Sequence, residues 1–328
     1  MKMKLYEALA LGIRHAMEKD TRVILLGSGF GGLSPEAQIA FATLESDFGD
    51  RVYPIPISEL GLAGACIGAS LAGSRALVDL STGSFLLQAL PQVINEAANI
   101  HYMTGGQTKV PATFYSLIGV RGAGAAQHSH RPQAWVVNTP GIRVLLPANS
   151  NDAYWFMRWA LLESENPTCF FSHALLLNRE GEVNLESMND PVGKAVVVRE
   201  GSDVTVVTVS VMVERALKAA EELFEESRLS VEVIDLRSLS PLDRETVISS
   251  VSKTGRVVIA EESSRTFGPA AELAAILVEG AFPYLRGPIY RACTADVPIP
   301  FSPPLEKEVL MDSQKLKETI RLAVGGKE

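Results

Sequence analysis

Apolar residues follow two periods along this chain, and the two alternate from end to end. Leu5, Ala8, Leu9, Gly12, Ile13 and Ala16 recur at three- and four-residue spacing, which predicts an amphipathic opening helix. The run 22–26 then reads as a buried strand. A helix is predicted over 35–48, with Ser34 as N-cap and Pro35 at its first position. A strand at 51–57 leads to Ser58 and Glu59, which open a helix of small residues: Gly61, Gly64, Ala65, Gly68, Ala69 and Ala72. Each glycine costs a helix about 1 kcal/mol, so this density calls for a packing reason. Strands follow at 76–80, 110–116, 143–146 and 168–171, with helices at 84–104 and 150–164 between them. Residues 119–129 form a glycine- and alanine-rich loop that carries His128.

From 178 to 191 the chain turns polar and loses its period, which places a domain boundary there. A second series follows, with strands at 204–209, 231–236 and 256–261. Its helices fall at 211–226, 243–250 and 268–280, and a last one at 313–324 after a proline-rich stretch. The alternation predicts an α/β protein of two domains, 1–185 and 186–328, with largely parallel sheets flanked by helices.

Composition narrows the function classes. With 47% hydrophobic and 21% charged residues over 328 positions, two ordinary globular cores are expected. A net charge of -8 argues against a general nucleic-acid or anionic-membrane surface. No apolar run approaches the roughly 20 residues of a membrane span. Arg14, His15, Glu18 and Lys19 interrupt the N-terminal apolar stretch too early for a signal peptide. Cys66, Cys169 and Cys293 stand far apart in apolar contexts and without metal spacing, which reads as free thiols and a cytoplasmic protein.

Four features carry candidate chemistry. Glu59 has no basic neighbour in the chain. It is either a first-turn carboxylate favoured by the helix dipole or a buried acid tuned for proton transfer; Ser58 as N-cap leaves it free for the second role. Gly27, Gly29 and Gly32 match G-x-G-x-x-G after a strand. They form either a structural turn or a dinucleotide site of an NAD-dependent oxidoreductase, with Glu59 or Asp50 on a ribose. His128 sits in a small-residue loop where an imidazole can approach a substrate and titrate near neutral pH. His130 would share its side of an extended chain, but no cysteine or carboxylate lies near to complete a metal site. Phe85 is either core or a stacking platform for a planar ring. His173, Arg179 and the pair Glu261–Glu262 read as loop or strand-end residues, with the acid pair able to line an interface.

Several ordered motifs together resemble one family. They are Pro56-Ile-Ser-Glu59-Leu-Gly61, Gln92-Val-Ile-Asn-Glu-Ala-Ala98 leading to Tyr102-Met-Thr-Gly-Gly106, and Ala126-Gln-His128-Ser129. Further on come Thr139-Pro-Gly-Ile142, the stretch from Asp235 through Pro241 to Asp243, and Ala295-Asp-Val-Pro298 with Pro300. The chain is similar to the beta subunits of thiamine-diphosphate-dependent 2-oxo acid dehydrogenases, the pyruvate and branched-chain enzymes of the transketolase-like group. The resemblance implies a pyrimidine-binding domain followed by a transketolase C-terminal-like domain.

Roles follow from the resemblance. Glu59 looks like the glutamate that hydrogen-bonds N1′ of the cofactor's aminopyrimidine, promoting the imino tautomer that deprotonates thiazolium C2. Phe85 resembles the aromatic packed on the pyrimidine, with Ser81 in the cofactor-binding segment before it. His128 resembles the histidine that guides substrate or an incoming lipoyl group. The Gly-Asp-Gly motif for diphosphate and Mg2+ is absent from this chain. The resemblance therefore implies an alpha subunit that holds Mg2+ and shares the thiamine diphosphate, in an alpha-2-beta-2 heterotetramer with a second beta subunit. It implies acyl transfer to a lipoyl group, with a lipoyl transacylase core as a further partner. The sequence departs from the family at Ser28 and Gly29, where acids are usual, at Gly83, and at Asn138. The missing acids leave a non-catalytic interaction subunit as another reading. Some relatives bind a monovalent cation through backbone carbonyls near Ala112 and 161–166; Ser164 stands where an acid is found, and no such site is assigned.

Overall fold

The computed structural model describes residues 1–27 and 35–325. The chain divides into two compact units, 1–121 with 127–189, and 122–126 with 190–328.

The first unit begins with β1 (Lys2–Lys4) and α1 (Leu5–Lys19). It continues through β2 (Val23–Leu26), α2 (Pro35–Phe48), β3 (Val52–Tyr53), α3 (Glu59–Leu71) and β4 (Arg75–Thr82). Next come α4 (Leu86–Leu90), α5 (Ala98–Met103), β5 (Ala112–Ile118) and α6 (Gln133–Val137). The unit closes with β6 (Arg143–Leu145), α7 (Ser150–Leu162), β7 (Thr168–His173) and β8 (Glu180–Glu182). Its main sheet runs β6-β7-β5-β4-β2-β3, and the pairings are parallel. Every residue of β5 and β7 is buried, which is why both read as apolar runs rather than as alternating strands. Phe114, Tyr115, Phe170 and Phe171 fill this centre. A small ribbon of β1 against β8, absent from the sequence reading, seats Met3 with Ala8, Tyr154 and Val183.

Two predicted elements change in the first unit. The strand expected over 51–57 is only two residues long, because Pro54 and Pro56 have no N–H to give a ladder. The helix expected over 84–104 carries a π segment, Pro91–Ala97, between α4 and α5. Pro91 can make no i→i−4 bond, and the wider turn accommodates it.

The second unit holds β9 (Val196–Arg199), β10 (Val204–Thr208), α8 (Val211–Ser227), β11 (Val231–Asp235) and β12 (Ser238–Ser240). It ends with α9 (Arg244–Thr254), β13 (Val257–Ser264), α10 (Pro269–Ala281), β14 (Tyr290–Thr294), α11 (Pro303–Val309) and α12 (Ser313–Gly325). Its sheet runs β14-β13-β10-β11-β9, parallel except for β9 at the edge. No helix among the described residues is long and apolar enough to cross a membrane.

Candidate active site

The candidate residues gather at the carboxyl ends of the strands in the first unit. β2 leads out to β3 at one edge, whereas β4 leads to β5 on the other side. The connections therefore part between β2 and β4, the point where open α/β sheets leave a ligand crevice. Gly27 ends β2 there with φ +124°, and its N–H donates to Tyr53 O. A Cβ on Gly27 would stand 3.1 Å from the Asp79 carbonyl oxygen and 3.2 Å from Asp79 Cβ. The rest of the glycine motif, from Ser28 through Ser34, lies outside the described residues.

Asp79 shapes the next step. It is buried in β4, and its Oδ1 accepts the Ser81 N–H at 2.8 Å. That bond supports Ser81 in the left-handed region, φ 58°, which a non-glycine residue enters at a cost. The β4–β5 ladder slips between Asp79 and Thr82, so the strand bulges at Ser81. Gly83 then donates to Leu117 O, and a Cβ there would meet Ile118 Cγ2 and Pro132 Cδ at 3.0 Å each. A side chain at this departure from the family would have to displace Ile118 and Pro132 by a few tenths of an ångström.

The bulge delivers Phe85 to the start of α4, half-buried. Its ring meets the His128 imidazole edge to face, with centroids 5.6 Å apart and planes at 82°. The structure thus brings together two residues 43 positions apart, as 128 − 85 gives. His128 ends a short 3-10 turn, Ala126–His128, within the glycine- and alanine-rich loop. His130 has different neighbours: its Nδ1 lies 2.9 Å from Ser84 Oγ, and its ring lies 5.5 Å from Trp135. Burial, with Arg131 next, pulls the His130 pKa below the usual histidine value.

Glu59 is the first residue of α3. Ser58 Oγ accepts the Gly61 N–H at 3.4 Å and caps the helix, as expected. Among the described residues the Glu59 side chain makes no hydrogen bond or ion pair. The expectation of a buried carboxyl is corrected here: Glu59 is only half-buried. The reason lies around it. Tyr53, Ile57 and Leu60 are exposed, so the apolar surroundings are present but this chain leaves them open.

Other expectations are settled by burial. Glu261 and Glu262 lie buried within β13. Glu261 Oε1 accepts the Ala270 N–H at 2.8 Å, and Glu262 pairs with Arg215 at 3.3 Å. His173, buried at the end of β7, accepts the Leu175 N–H. The carbonyls of Leu161 and Ser164 receive the Arg75 guanidinium, through Nε and Nη2. Asp79 and the Ser84–His130 pair escaped the sequence reading. A lone aspartate inside the apolar run 76–80 was the available signal for the first; nothing local signals the second.

Comparisons with known proteins show the family. The transketolase pyrimidine-binding domain model matches residues 1–179, and the transketolase C-terminal domain model matches residues 193–316. Pyruvate dehydrogenase E1 component subunit beta-1, mitochondrial, of Arabidopsis thaliana is 39% identical over 312 residues, covering 94% of this chain and 85% of that protein. Pyruvate dehydrogenase E1 component subunit beta of Rickettsia felis is 36% identical over 321 residues, covering 98% of each. Among solved structures, a split-gene transketolase described as an inactive beta4 tetramer superimposes with TM-score 0.79 at 23% identity over 98% of each chain. That likeness speaks for the fold. The motifs, the two domain models and these relatives together show that the chain belongs to the pyruvate dehydrogenase E1 beta-subunit family, built on transketolase-like domains.

Proposed function

We propose that this chain, as the beta subunit of a thiamine-diphosphate-dependent 2-oxo acid dehydrogenase, supplies the residues that activate the cofactor. One observation carries the reading. The Glu59 carboxylate stands half-exposed at a helix start, with no partner among the described residues and with open apolar side chains around it. Such a group fits a protonatable ring nitrogen brought by a ligand. The half-buried Phe85 ring fits the flat face of the same heterocycle.

When bound, thiamine diphosphate supplies a thiazolium that stabilises carbanion character at the substrate carbonyl carbon. Glu59 would hold the proton shared with the pyrimidine nitrogen, and Phe85 would pack on the face of the pyrimidine, with the Ser81 bulge setting where the Phe85 ring begins. His128, braced edge to face on Phe85, orients the substrate or the incoming lipoyl group. The reaction is oxidative decarboxylation of a 2-oxo acid: CO2 leaves, and the lipoyl disulfide is the oxidant, its S–S bond breaking as one sulfur takes the acyl group and the other becomes a thiol.

The exposed Tyr53, Ile57 and Leu60 support a partner that closes the site. We assign that role to an alpha subunit carrying the diphosphate and Mg2+ half, in an alpha-2-beta-2 assembly with a second beta subunit. A lipoyl transacylase core is the further partner. Residues 1–185 are assigned to the pyrimidine-binding domain and 186–328 to the C-terminal one. Three free thiols, Cys66 and Cys169 buried and Cys293 half-buried, support a cytoplasmic location.

Reconstitution tests the reading. The chain alone should show no thiamine-dependent decarboxylation of pyruvate or branched-chain 2-oxo acids. Mixing it with an alpha partner that carries Gly-Asp-Gly and a downstream Asn should restore turnover. Activity of the isolated chain, or none with any such partner, would refute it.

A further inference from the structure

Three cations meet at the end of the first sheet opposite Glu59 and Phe85. Arg22 precedes β2, Arg75 opens β4 and Lys109 precedes β5. These strands are neighbours in parallel register, Val23 beside Arg75 and Ala76 beside Ala112, so their amino ends lie side by side. The three side chains line a cleft of about 220 Å³, joined by Ser70 at the end of α3 and Ser74 in the turn to β4. The chain as a whole carries a net charge of -8, so this edge runs against its general charge.

The outer two cations have carboxylates beside them. Arg22 Nε and Nη2 hold Asp20, and Lys109 Nζ lies 2.5 Å from Glu165 Oε1. Glu165, 57% exposed, also lines the cleft, so an anion there would compete with it for Lys109. Arg75 is different. It is 8% exposed and is paired with no carboxylate; Nε and Nη2 bond carbonyls, and Nη1 bonds nothing among the described residues. Burial and the neighbouring Arg22 work against the Arg75 charge, the carboxylates of Asp20, Glu165 and Glu163 offset them from a distance, and Nη1 is left without an acceptor among the described residues. Beside it Ser70 is 4% exposed, and its Oγ has no hydrogen-bond partner. A cation and a hydroxyl left over in one cleft call for an anion with several acceptor oxygens.

We propose that this cleft binds a phosphate group, free or carried on a small metabolite. Arg75 and Ser70 are its inner donors, and Arg22 and Lys109 its outer cations. The site is separate from the cofactor crevice and does not depend on the reading of that crevice.

The test is thermal unfolding of the full-length chain titrated with inorganic phosphate, against sodium chloride at matched ionic strength. Phosphate should raise Tm saturably, as a ligand of the native state does. R22Q/K109Q changes only exposed cations and should weaken the apparent affinity by about tenfold or more. S70A should weaken it with little change in the unliganded Tm. R75Q is a second inner variant, and S70A keeps the test sound if R75Q fails to fold. Glycerol 3-phosphate binding more tightly than inorganic phosphate would identify a phosphorylated metabolite; equal or weaker binding would identify the free ion. No saturable rise beyond the chloride series, or a rise unchanged in R22Q/K109Q, would overturn the proposal.

Discussion

Asp79 governs the site from beneath, and Gly27 shows how closely. Any side chain on Gly27 must enter the space of Asp79 while adopting φ +124°. Gly27→Ala is expected to lower stability by about 1–3 kcal/mol in chemical denaturation, from left-handed strain and the clash together. His130 gives a pH signature. Its folded pKa is depressed by burial first and Arg131 second. As pH falls, the unfolded chain takes the proton first, so the stability contributed by the neutral imidazole is present above the unfolded value and lost on acidification. Between about pH 7.5 and pH 5.5, Tm should fall, and His130→Asn should show a shallower fall. An unchanged slope would assign the acid sensitivity to other groups. Glu59 and His128 were legible as candidates because each broke an apolar or small-residue context in the sequence. Their environment was not legible, since it depends on which neighbours other strands leave uncovered.

At the scale of elements, α3 is the piece whose placement matters most. Ser58 starts it, and the cap sets the direction in which Glu59 leaves the backbone. Ser58→Ala should cost about 0.5–2 kcal/mol, toward the low end because the bond is long and exposed. It should also reduce kcat in the assembled enzyme, whereas an equal loss of stability placed elsewhere should not. The sequence carried α3 clearly, because its cap, carboxylate and small residues are local signals. It overstated the strand before it, where Pro54 and Pro56 hold extended backbone without a ladder. The bulge at Ser81 and the π segment at Pro91–Ala97 were not legible, since each depends on register against a neighbour or on a widened turn.

For the whole molecule, the alternation of strand and helix was enough to predict two α/β units, because parallel sheets impose that rhythm. The strands β1, β8, β9, β12 and β14 were missed, being three to five residues long. Cys66 and Cys169, buried and with their pKa pushed up by desolvation, should resist alkylation in the native protein and react on unfolding. Rapid labelling of the folded chain would contradict the packing described. The exposed Tyr53, Ile57 and Leu60, near Glu59 in the chain, make assembly as central as chemistry. The most direct test compares wild type with Glu59→Gln in complex with the alpha partner, measuring thiamine-dependent decarboxylation at saturating cofactor. Loss of turnover by about 10²–10⁴-fold or more, with the complex intact, is expected. Full activity in Glu59→Gln would contradict the central claim that this carboxylate handles the proton at the cofactor ring.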